Sequence, residues 1–137
     1  MNVERKMNPL QGSSVALCGC DADDLNPLAA LLVEMGCNVY LPETAEQLNS
    51  LLRDTTVDAI MVHVCPSRQQ FLPILGRPGI PPVLALLRHA DKHLYLDLLR
   101  RGAFDCVPLP AQRDELKRVL SLAIEDGRKQ MAASHAA

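Results

Sequence analysis

Short apolar runs alternate with amphipathic stretches along most of this chain, and that alternation narrows the fold more than any other feature. Ser14-Val15-Ala16-Leu17-Cys18 is the first run, followed by Asn38 to Leu41, Val57 to Val62, Val83 to Leu87 and Ala103 to Val107. The runs are too short for buried helices. They are mostly apolar throughout, as parallel strands covered on both faces are, rather than alternating as half-solvated strands do.

The stretches between them carry helical spacing. Leu25, Leu28, Leu31, Leu32 and Met35 form one stripe, with Pro27 placed in a first turn and Gly36 at the stop. Thr44 with Gln47 makes a capping box ahead of Leu48, Leu51 and Leu52. Ser67 is expected to cap a short helix carrying Phe71, Ile74 and Leu75. Asp91 is expected to cap a fourth helix with Leu94, Tyr95, Leu98 and Leu99 inward, ended by Gly102. The fifth runs from about Gln112 to Glu125, with Leu116, Val119, Leu120, Ala123 and Ile124 inward.

Five strands alternating with five helices predict an α/β fold in three layers: an open, doubly wound parallel sheet with helices on both faces. A length of 137 residues suits one such domain. Residues 1–12 read as a polar leader, 13–126 as the domain, and 127–137 as a tail or the start of a linker.

Composition excludes several classes of function. A net charge of −2 and a pI near 6.0 count against a basic nucleic-acid binder. Two Phe, two Tyr and no Trp leave few platforms for stacking bases. No apolar run reaches the ~18–20 residues that span a bilayer, and the N-terminus has no signal-peptide core. The five cysteines (Cys18, Cys20, Cys37, Cys65 and Cys106) are odd in number and mostly in apolar surroundings, which reads as reduced thiols in a cytoplasm. A glycine-rich phosphate loop of the P-loop or dinucleotide type is lacking, which counts against a doubly wound enzyme or small-molecule binder; no cofactor and no enzyme activity are expected.

In an open parallel sheet, ligands bind beyond the carboxyl ends of the strands. Those ends carry Gly19-Cys20-Asp21, then His63 with Val64-Cys65-Pro66, then Leu87-Arg88, then Pro108-Leu109-Pro110. The stretch Gly102-Ala103-Phe104-Asp105-Cys106-Val107-Pro108-Leu109-Pro110 and the run Val57-Asp58-Ala59-Ile60-Met61-Val62 are the most distinctive. With them, the chain resembles a CheY-like response-regulator receiver domain over about Ser14 to Asp126. The resemblance implies the strand order 2-1-3-4-5, a role in two-component or phosphorelay signalling, and a cis peptide at Leu109-Pro110.

The departures from that family fall on the residues that run its chemistry. The resemblance places Gly19 and Cys20 where the family has two adjacent acids, and His63 where it has the phospho-acceptor aspartate. Leu87 falls on its Thr or Ser, Leu109 on its Lys, and Cys106 on its aromatic switch residue. Mg²⁺ needs hard oxygen ligands, and phosphoryl transfer needs charge neutralisation. The expectation is a degenerate receiver, a pseudo-receiver, with no catalytic residue and no metal site. It would act by contact with a protein partner: a second copy, or a signalling or output domain.

Other readings stay open. Asp21, Asp23 and Asp24 either take over the acidic role or simply favour the N-terminus of the first helix. His63 either accepts a phosphoryl group or ligand, or is a half-buried histidine bonded to a loop carbonyl. The cysteines and His63 suit a thiol–metal site, or are small buried hydrophobes. A vacated strand-end pocket suits a small ligand. Arg88, His89, Lys92, His93, Arg100 and Arg101 form a partner patch or a solvated face. Leu96 and Leu122 lie off their helical stripes, and the resemblance makes the fourth-helix to fifth-helix face, with Lys92, Leu96, Arg100 and Leu122, the expected interaction surface.

Overall fold

The computed structural model of the chain describes residues 10–19, 22–64, 70–88 and 91–136. Five parallel strands, β1 (Ser14–Cys18), β2 (Asn38–Tyr40), β3 (Ala59–His63), β4 (Val83–Leu87) and β5 (Asp105–Pro108), form one sheet in the order β2-β1-β3-β4-β5. The helices are α1 (Ala22–Glu34), α2 (Ala45–Asp54), α3 (Lys92–Arg100) and α4 (Arg113–Ala136). This is the doubly wound, flavodoxin-like order that the resemblance implies. Register places Cys18 beside Val62, His63 beside Leu86 and Leu87 beside Pro108, so the strand ends form a common rim.

Two apolar layers sandwich the sheet. Leu17, Met61, Leu84 and Leu86 face α1 and α4, where they meet Leu28, Leu32, Leu116 and Leu120. Ile60, Val62, Ala85 and Leu87 face the other way, against Leu48, Leu72, Ile74 and Leu98. Every residue of β3 and β4 is buried, which explains their unbroken apolar character.

Local signals set most boundaries. Thr44 Oγ1 accepts from Gln47 N–H at 3.1 Å, and Gln47 Oε1 accepts from Glu43 N–H at 2.7 Å, one residue before the cap. Asp91 caps α3 by accepting from His93 N–H at 2.9 Å and Leu94 N–H at 3.2 Å. Gly36 ends α1 in the left-handed region at φ 90.

Several elements differ from expectation. Among the described residues, the third crossover holds only a 3-10 turn, Leu72–Ile74. Pro73 lies inside it, and Gly76, Pro78 and Gly79 follow, so no α-helix propagates there; Ser67 lies outside the described residues. Pro27 sits in the second turn of α1, where its missing N–H forgoes one ladder bond. β3 begins at Ala59 because Asp58 turns aside, its Oδ2 accepting from Ser14 N–H at 2.8 Å. β5 begins at Asp105, since Gly102 and Ala103 close α3 by hydrogen bonds back to Leu99 and Leu98.

The domain's edges also move outward. Leu10 is completely buried in the α1/α4 layer, and Gly12 N–H bonds Gly36 O at 2.8 Å, so the expected leader contributes to the core from Leu10 onward. The last helix passes through Gly127 and reaches Ala136. A Cβ at Gly127 would stand 2.8 Å from Pro82 Cδ, so that glycine serves close packing rather than a helix stop. Among the described residues no helix is long and apolar enough to cross a membrane.

Candidate functional site

The rim is built around His63, the last residue of β3. Alternation along the strand turns its side chain to the α1 side, and the residue is only 8% exposed. Gly19 makes room for it. A Cβ at Gly19 would lie 2.6 Å from His63 Cβ and 3.2 Å from Leu25 Cδ1, so the space that a side chain at Gly19 would fill is taken by the histidine.

Asp24, in the first turn of α1, closes over the ring. Its Oδ2 stands 3.0 Å from His63 Nε2. Neither ring nitrogen has a directed hydrogen-bond partner among the described residues. The contact is one of proximity, and becomes an ion pair only where the imidazole is protonated.

Arg88, the first residue after β4, grips the same carboxylate. Its Nε donates to Asp24 Oδ2 at 3.2 Å, and its terminal nitrogen pairs with Oδ1. This two-pronged grip is the geometry in which guanidinium and carboxylate bind most firmly. The hydrogen bond from Arg88 holds the Asp24 carboxyl below its ordinary value; partial burial works against that, and the charge of Arg88 and the nearness of His63 work with it. Asp24 thus serves two partners contributed by β3 and β4.

The other expected pocket positions are divided between the two sides of the sheet. Leu87 and Cys106 belong to the layer under α3, whereas Leu109 packs in the layer under α1 and α4. Leu109 N–H bonds Leu87 O at 2.8 Å, and the Leu109–Pro110 peptide is cis. Cys20, Cys65, Asp21 and His89 lie outside the described residues. The structure therefore brings Gly19 and His63 together and leaves Leu87, Cys106 and Leu109 as packing groups. Asp23 is exposed in the first turn of α1.

The described cysteines are free thiols. Burial pushes Cys18 up to about 12. Burial, with Asp105 adding, pushes Cys106 up to about 11. Cys37 is also raised, by burial first, and its Sγ lies 3.8 Å from Leu10 O. Cys18 and Cys37 occupy opposite layers. Among the described residues no group of three or more His, Cys, Asp or Glu is placed to hold a metal ion.

The helices beside β5 carry three exposed large apolar side chains, Tyr95, Leu96 and Leu122. Tyr95 was expected to point inward but is 37% exposed, because its hydroxyl donates to Asp105 Oδ1 on β5 at 3.3 Å. Leu96 follows it on the same flank, with Lys92 one turn earlier. Leu96 is 37% exposed and Leu122 48%. Arg113 of α4 pairs with Glu34 of α1 at 3.4 Å, and Leu122 lies half a turn out of phase with Arg113. Leu122 therefore projects away from α1. Lys92 and Arg100 are exposed on α3.

Sequence reasoning missed the joint role of Asp24 and Arg88. It treated one as a helix-terminal acid and the other as part of a basic patch. The available signal was topological: opposite charges immediately after β1 and β4 must meet on one rim of the sheet.

No protein-family model matches the chain, and no curated protein matches it. Solved structures do. The receiver domain of Francisella response regulator 1452 is 18% identical with a TM-score of 0.69, over 84% of this chain and 98% of that one. The signal receiver domain of an HD domain-containing protein from Pseudomonas fluorescens Pf-5 is 18% identical with a TM-score of 0.72, over 87% and 99%. NtrX from Brucella abortus is 19% identical with a TM-score of 0.77 over 93% of this chain, which spans 30% of the NtrX chain. The chain has the CheY-like α/β fold of these receiver domains.

Proposed function

We propose that this chain is a receiver-type signalling module that works by contact and without phosphoryl transfer. The observation that carries this reading is the occupancy of the rim: Asp24 is already engaged by Arg88 and His63, and the positions matching the family's reactive groups are Gly19, His63, Leu87 and Leu109. A carboxylate held by its own cation is poorly placed to ligate Mg²⁺, which dehydrates reluctantly and demands octahedral oxygen geometry. His63, closed over by Asp24 and 8% exposed, offers an incoming phosphoryl group little approach.

The working surface in this reading is the α3–β5–α4 edge, with Lys92, Leu96, Arg100 and Leu122. Its occupant is a second copy of the chain or a signalling or output domain, in the cytoplasm, with no enzyme activity, no nucleic acid and no membrane required. Support comes from the exposed leucines flanking β5 and from the family resemblance.

The test is an amide spectrum of the chain titrated with Mg²⁺ and then with beryllofluoride, a mimic of a bound phosphoryl group. The expected result is no change in the signals of Gly19, His63 and Leu87 beyond ordinary salt effects. A saturable shift centred on His63 overturns the reading.

A further inference from the structure

We infer that Asp24 is the pin of a built-in latch that joins α1 to the ends of β3 and β4 and so fixes the entry to α3 and the surface that α3 carries. This inference rests on the contact-based reading and names how its surface is held. In the sheet, β1 is followed by β3 and then β4, so the helix leaving β1 must reach across β3 to touch β4. Asp24 does so, with Oδ2 serving both His63 and Arg88, and Oδ1 serving Arg88. Arg88 directly follows β4, and Asp91, the cap of α3, is three residues further on. Three residues span at most ~10 Å, so fixing Arg88 restricts where α3 begins.

The body of α3 is lightly anchored. Leu98 is its one fully buried side chain, while Leu94 and Leu99 are half-buried. Its direction therefore depends on its ends. The far end is held where Gly102, at φ 114, meets Gly76: a Cβ on Gly102 would stand 2.5 Å from Gly76 N. Near the start, the Arg88–Asp24 grip adds a tie to the rest of the molecule beside the packing of Leu94 against the sheet. Tyr95, one turn into the helix, then reaches Asp105.

The experiment measures hydrogen exchange of the full chain and of three variants: Asp24→Asn, Arg88→Met, and both together. Removing either partner should speed exchange in Lys92–Leu96 about tenfold while leaving β1 and β3 unchanged. The double variant should fall short of the sum of the singles, because both singles remove the same Arg88–Asp24 grip. Unchanged exchange in α3 in both singles, or effects that add in the double, overturns the latch. Should Asp24→Asn lower protection throughout the molecule, Arg88→Met carries the test alone, since it alters an exposed side chain. Phosphodonor treatment of the wild type is a separate arm: a phosphorylated wild type would sink the contact-based reading and leave the exchange result standing.

Discussion

Gly19 and His63 share one volume, and that sharing shapes the rim. A methyl group at Gly19 meets His63 Cβ, an atom with little freedom to move away. Gly19→Ala should therefore cost about 1–3 kcal/mol, the usual penalty for overfilling a packed site, and urea unfolding measures it. Asp24 makes a pH prediction. Its folded carboxyl lies below the ordinary value of 3.8, so its contribution to stability is complete above that value and is lost as pH falls through the folded one. Asp24→Asn should lack this component, giving a flatter decline in acid when unfolding is followed between neutral pH and pH 3. The thiols behave oppositely: Cys18, held up to about 12, stays protonated at pH 8 and should alkylate far more slowly than a free thiol, read by peptide mapping.

At the scale of elements, α3 separates a packing side chain from those of the proposed interaction surface. Leu98 is completely buried, and Leu98→Ala should cost about 2–5 kcal/mol. Leu96→Glu and Leu122→Glu act on exposed side chains, so they should leave the unfolding midpoint nearly unchanged and weaken self-association in light scattering. If the wild type is a monomer at high concentration, the second-copy version of the partner is wrong. Tyr95 shows why a helical stripe overstates burial. Its ring follows the inward spacing, yet a hydroxyl partner on the edge strand draws it to the surface. At α4, Gly127 reads as a stop by residue type alone; only the position of Pro82 reveals it as a packing site inside a continuing helix.

For the molecule as a whole, the parallel sheet and its two apolar layers were legible because buried parallel strands write themselves as apolar runs and caps mark helix starts; the strand order came from the resemblance to receiver domains. The third crossover was not, since Leu72-Pro73-Ile74 carries helix-like apolar spacing while Pro73 lacks a backbone donor and glycines and a further proline follow. The candidate site was half legible. Strand ends named Gly19, His63, Leu87 and Leu109, but the Asp24–Arg88 pair, 64 residues apart in sequence, exists only once the sheet has been assembled. The central proposal is that this receiver-like fold works without phosphoryl transfer, its rim being held by an internal ion pair. Intact-mass analysis after incubation with acetyl phosphate and Mg²⁺, and in parallel with phosphoramidate, tests this most directly. The account predicts an unchanged mass with both donors; a stoichiometric phosphoryl adduct on His63 or on an aspartate of the first helix would contradict it.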